Sequence, residues 1–171
     1  LLVGAMAAIE AAFQLGTRGI VGGPGAVGWR LAALQDYAFS VDVFRWMLEN
    51  GRWPGEQVVR FVAYPFVHAS FTHALFVIVF LLALGKMVAE NFHWVAVLAI
   101  FFVSAIVGAV VYALVVPEAR LLIGGFPPVY GMIGAFTFLL WTRLAAAGEQ
   151  QSRAFLLIAV LMGAQLLFSL L

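Results

Sequence analysis

The sequence predicts an all-α membrane protein, a bundle of five spanning helices with a half-embedded helical hairpin in the long loop after the first helix. Three observations carry this. Of the 171 residues, 65% are hydrophobic and 10% charged, where soluble domains run near half and a quarter. Apolar runs of the roughly 20 residues needed to cross a hydrocarbon core recur through the later part of the chain. One stretch, residues 16–64, breaks the pattern with five Arg (Arg18, Arg30, Arg45, Arg52, Arg60), four acids and two Pro, so it belongs outside the hydrocarbon. Residues 1–171 read as a single membrane domain without internal repeats.

Taken in order, residues 1–16 form the end of a first spanning helix, with Glu10 near enough to that end for its carboxylate to reach the interface. The chain opens on Leu1-Leu2-Val3 without a basic leader and closes on an apolar run, so a longer chain is expected and a cleaved signal peptide is not. Within the 17–64 loop, the stretches from Trp29 to Leu34 and from Val43 to Leu48 have helical apolar spacing, with Ser40 placed to cap and Gly51 to stop. They predict a helical hairpin lying half in the interface. Residues 66–90 form the second spanning helix, opened after Pro65, and 94–116 the third, closed by Pro117. The fourth, 128–146, starts at Pro127 and Pro128, where a missing N–H costs little. The fifth is 153–171. Lys86, Arg143 and Arg153 fall on one side and Arg120 on the other, which puts the 86–93 and 147–152 connections in the cytoplasm and the long loop outside. A bacterial inner membrane is the expected location.

Composition excludes several functions. Without cysteine there is neither a disulfide nor thiol catalysis. A net charge of +1 provides no basic patch for nucleic acid. His68 and His73 lie on or beside the second helix, and ionisable residues at membrane depth mark functional sites. Their structural alternative is hydrogen bonding to loop backbone that fixes the start of the helix. A metal needs three or more converging ligands, and His93 sits roughly 30 Å along the helix, so neither a metal nor another cofactor is expected. A single imidazole still leaves haem or pigment ligation open. Ser70 is the serine nearest His68 and His73, but neighbours two or three apart on a helix are poorly oriented for a nucleophile–base pair. Ser104 with Gly108, and Gly131 with Gly134 and Ala135, mark close helix packing.

The segment Arg60-Phe61-Val62-Ala63-Tyr64-Pro65-Phe66-Val67-His68-Ala69-Ser70-Phe71-Thr72-His73 resembles the start of the second helix in rhomboid intramembrane serine proteases, where an Arg precedes Phe-x-His-x-Ser-x-x-His. Leu84-Gly85-Lys86 is similar to the Leu-Gly before that family's cytoplasmic turn, and Trp29-Arg30 resembles the Trp-Arg of its first-loop hairpin. Val129-Tyr130-Gly131-Met132-Ile133-Gly134-Ala135-Phe136 resembles the helix that follows the Gly-x-Ser-Gly nucleophile motif. The resemblance implies a rhomboid-like bundle whose sixth helix, carrying the catalytic His, is missing from this sequence; no His follows His93.

The motif itself departs from the pattern. Gly124-Gly125-Phe126-Pro127-Pro128 stands where Gly-x-Ser-Gly-x is expected, so the resemblance puts Phe126 at the nucleophile and Pro127, which has no N–H, at the second Gly. Val77 takes the place of the oxyanion-stabilising Asn. The implied protein is a pseudoprotease, not an enzyme, that binds transmembrane helices of other membrane proteins, as an accessory subunit or an assembly or regulatory factor of a larger membrane complex in contact with lipid. Trp29, Arg30, Arg60, His68, His73, Gly85, Gly131 and Gly134 then serve as architecture, while Phe126, Pro127 and Pro128 fill the former cavity. The competing readings are a protease with a non-standard site at Ser70 and a haem- or pigment-binding subunit.

Overall fold

In the computed structural model, residues 1–117 and 120–160 are described. Helix α1 (Leu2–Thr17) runs into a hairpin region built from α2 (Trp29–Tyr37), α3 (Val41–Asn50) and α4 (Gly55–Ala63). Three long helices follow, α5 (Phe71–Ala89), α6 (Trp94–Val115) and α7 (Phe126–Ala146), each long and apolar enough to cross a membrane. A further helical segment, Gln151–Val160, begins the expected fifth span; its continuation over 161–171 lies outside the described residues.

Local chemistry explains most boundaries. The Ser40 hydroxyl accepts from the Val43 N–H and opens α3, and Gly51 closes it in the left-handed region at φ 62°. The hairpin has a third helix that the expected pair omitted. Pro54 precedes α4, and Val58, Phe61 and Val62 give it an apolar face at i, i+3, i+4. The second spanning helix starts at Phe71, not at 66. Tyr64, Pro65 and Phe66 form a short 3-10 turn, and Ser70 caps α5 by accepting from the His73 N–H at 3.2 Å. His68 is therefore in the loop before α5, off the helix. Helix α7 starts two residues earlier than expected, at Phe126, with both prolines in its first turn.

Helix α7 lies between α5 and α6, and α1 packs on α5. One apolar core joins Met6 of α1, Val77, Leu81, Leu84 and Val88 of α5, Phe101 of α6, and Val129, Met132 and Ile133 of α7. A second core seats the hairpin: Phe39, Val41, Phe44, Met47, Phe61 and Tyr64 lie on Ala105, Ala109 and Ala113 of α6. Those alanines recur every four residues, so α6 offers a smooth stripe that aromatic rings approach closely. Arg45 reaches across to donate to the carbonyls of Ala113, in the last turn of α6, and of Val116 and Pro117 just past it. A two-residue antiparallel ladder, Phe39–Ser40 (β1) against Leu121–Leu122 (β2), ties the hairpin to the loop that leads into α7.

The small residues divide into two groups. A Cβ on Gly131 would collide with the Ser104 hydroxyl, and one on Gly108 would fall 2.6 Å from Pro127 Cβ, so these positions set the α6–α7 approach. Among the described residues, nothing lies within 4 Å of a Cβ at Gly134 or Gly85, so no neighbour there shows the close packing expected at Gly134.

Candidate functional site

Two segments meet at one end of the bundle. The first is the turn and loop from Tyr64 to His73; the second is the Gly124-Gly125-Phe126 approach to α7. The Gly124 N–H donates to the Tyr64 carbonyl at 3.0 Å and locks the two together. The Tyr64 hydroxyl in turn donates to the Ala105 carbonyl on α6 at 2.8 Å.

Gly124 takes φ +81°, and a Cβ there would overlap the His73 imidazole and sit 3.3 Å from His68 Cδ2. Gly125 is equally hemmed in: its Cβ would lie 2.6 Å from Val77 Cγ1 and 3.3 Å from the Pro65 carbonyl oxygen. Phe126 stacks on His73 with ring centroids 5.2 Å apart and planes 19° from parallel. His68 meets His73 edge-on at 5.1 Å and 90°. Phe126, Val77 and His73 thus converge around the two glycines, although they come from distant parts of the chain. Phe126 remains 36% exposed, so it lies as a cover over His73; of the three residues expected to fill a cavity, it is Pro128 that is buried.

The site is nearly devoid of polar partners. His68 Nε2 and His73 Nε2 are both buried without a hydrogen-bond partner. Ser70 Oγ is engaged as the α5 cap. His93 is at the far end of α5, where its Nδ1 accepts from the Val95 N–H at 3.4 Å and caps α6. Among the described residues, no three His, Asp or Glu side chains come together as a metal cage. The arrangement presents two imidazoles and an aromatic ring, with no hydroxyl or carboxylate between them.

Behind the site is a buried ion pair. Arg30 donates to both carboxylate oxygens of Glu10, at 2.9 and 2.7 Å, and also to the His68 carbonyl at 2.8 Å. Gln14 donates to the same carboxylate, and the Phe13 ring lies 5.0 Å under the guanidinium. Arg30 therefore joins α1, α2 and the His68 loop at one point. Trp29, its neighbour, lies over Gly16 and Gly22, where any Cβ would strike the indole. Arg60 of α4 donates to the Ala38 carbonyl at 2.9 Å and pins the hairpin. Sequence reasoning placed the Glu10 carboxylate at the interface; it is buried at 5% exposure, on the side of α1 that faces Arg30. The signal was present, since an unaccompanied acid in an apolar helix demands a partner. Nothing in the sequence pattern marked the Tyr64 bridge to α6.

The Rhomboid domain model matches residues 55–171, about two-thirds of the chain. The chain belongs to the rhomboid family. It is an integral membrane protein with the family's helical bundle, and the two segments that form the site both lie inside the matched region. No curated protein and no solved structure matches the chain.

The pH behaviour of this rhomboid follows from His68. Burial pushes its imidazole down to about 4, His73 opposes its charge further, and Glu10 offsets part of this. The unfolded chain takes up that proton near pH 6.5 and the folded chain only near 4, so the unfolded state binds more protons between the two. Stability is accordingly full above about pH 6.5 and is lost as the pH falls towards 4. Thermal unfolding in detergent across this window is expected to show the decline, and His68→Phe to flatten it. An identical slope in wild type and variant would remove His68 from the explanation.

Proposed function

We propose that this rhomboid-family protein does not hydrolyse peptide bonds by the family's serine mechanism. It binds transmembrane segments of other membrane proteins, as an accessory subunit or an assembly or regulatory factor, in a bacterial inner membrane. The observation that carries this reading is Phe126 stacked on His73 at the position the family resemblance gives to the nucleophile. A phenyl ring has no lone pair to attack a carbonyl. Removal of the nucleophile of a Ser–His unit alone costs about 10⁶ in rate. Val77, which packs under Gly125, offers no donor to an oxyanion, a loss of about 10²–10³ where it stands alone. Pro127 has no N–H to lend. All three departures weaken the same chemistry, while the helical bundle is present. A protein that retains the scaffold but lacks the reacting groups keeps its capacity to hold other helices.

Two measurements test the two halves. Purified protein is expected to show no labelling by a serine-directed fluorophosphonate; labelling abolished by Ser70→Ala would establish a non-standard protease site instead. Mild-detergent extraction of the tagged full-length protein, followed by mass spectrometry, is expected to retain one dominant membrane protein in near-equal amount. A preparation that is monomeric and without any retained protein argues against the binding role. A visible absorption band in that preparation would favour a haem or pigment subunit.

A further inference from the structure

Besides the site, the molecule carries a lateral groove of about 460 Å³ between α1 and α5. Its walls are apolar: Ala7, Ala11 and Leu15 from α1, with Phe71, Leu75 and Ile78 among those from α5. Glu10 and Gln14 also line it, and Arg18, the residue that follows α1, stands past Leu15 at one end. Glu10 is neutralised by Arg30 and accepts from Gln14. Arg18 is exposed at the end of α1, and its guanidinium makes no ion pair among the described residues. Of the two charged residues that line the groove, Glu10 is paired with Arg30, which leaves the positive charge of Arg18 uncompensated at its end.

We infer that this groove is a binding site for an anionic phospholipid, with acyl chain along α1 and α5 and phosphate at Arg18. The shape and the charge both favour that occupant. From Ala7 to Leu15 the groove runs about 12 Å, most of one leaflet's ~15 Å of hydrocarbon. Phe71 and Leu75 are exposed along the wall, where an acyl chain would lie against them. The uncompensated positive charge stands one turn beyond the apolar walls, where a headgroup phosphate comes once the chain is seated. Basic pockets between spanning helices take anionic headgroups for this reason.

The test is native mass spectrometry of the full-length chain in detergent. Equal amounts of phosphatidylglycerol and phosphatidylcholine with the same acyl chains are added. One Arg at the surface supports about a fivefold preference for the anionic lipid. Wild type is expected to show it, and Arg18→Gln to bring the ratio near one. Ala11→Trp, which fills the groove from its exposed side, is expected to reduce retention of both lipids together. Both changes are on the surface, so the fold should survive them. Equal retention of the two lipids by wild type overturns the proposal, as does a preference that Arg18→Gln leaves unchanged. If Ala11→Trp releases a co-purifying protein and leaves lipid retention intact, the groove belongs to a protein partner and the lipid assignment fails.

Discussion

Arg30→Met is expected to destabilise the protein by about 3–5 kcal/mol, because it leaves the Glu10 carboxylate charged, buried and without its cation. The Arg30 and Glu10 side chains are 18% and 7% exposed, so water can replace little of what is lost. The same substitution removes the donor to the His68 carbonyl, which becomes a second buried group without a partner. Glu10→Gln should cost less. Arg30 would keep the His68 carbonyl and the face of Phe13, and the amide at position 10 could still accept from Arg30 and Gln14. The double variant Glu10→Leu with Arg30→Met is the informative one. A buried ion pair replaced by apolar groups of similar size is often close to neutral. The double variant should therefore be more stable than Arg30→Met alone, when followed by thermal unfolding in one detergent. If the losses of Glu10→Leu and Arg30→Met, each measured alone, simply add in the double variant, the two residues do not act as a pair and the bridge between α1, α2 and the His68 loop has another basis.

How far the sequence could be read depended on whether a feature is local. The spanning helices announce themselves through runs of apolar residues, because the bilayer demands length and composition together. The Ser40 cap and the Gly51 stop of α3 are equally local and stand where expected. The start of α5 was misplaced because apolar content does not distinguish a helix from an apolar loop. Phe66 and Val67 look helical in composition, yet the Pro65 turn and the Ser70 cap delay the helix to Phe71. Helix α4 is hard to read from sequence because it is short and its apolar face shares the segment with Gly55 and Arg60. At the site, the family resemblance singled out Phe126 and Val77. Their placement around Gly124 and Gly125 was not legible, since it depends on how α5 and α7 pack. The same holds for Glu10 and Arg30, twenty residues apart and joined only by the way α2 folds back on α1.

Gly124→Ala is the second substitution with a large expected effect, a loss of about 3 kcal/mol or more from two separate causes. The backbone there has φ +81°, a conformation that costs a residue with a Cβ about 1–3 kcal/mol. The new methyl also overlaps the His73 ring, which cannot retreat freely because His68 stands edge-on at 5.1 Å and Phe126 covers it at 5.2 Å. The overlap and the φ penalty can be separated. Adding His73→Ala removes the ring and leaves only the backbone cost, so the double variant should lose less than the sum of the two single ones by about 1 kcal/mol or more. That difference measures how tightly the glycine turn is pressed onto the histidine, and hence how rigidly Phe126 is held over it. Losses that add within error would mean that Gly124 is required for its backbone conformation alone. The stacked Phe126 would then rest on a ring with room to move, and the reading of Phe126 as a fixed cover on the site would have to be given up.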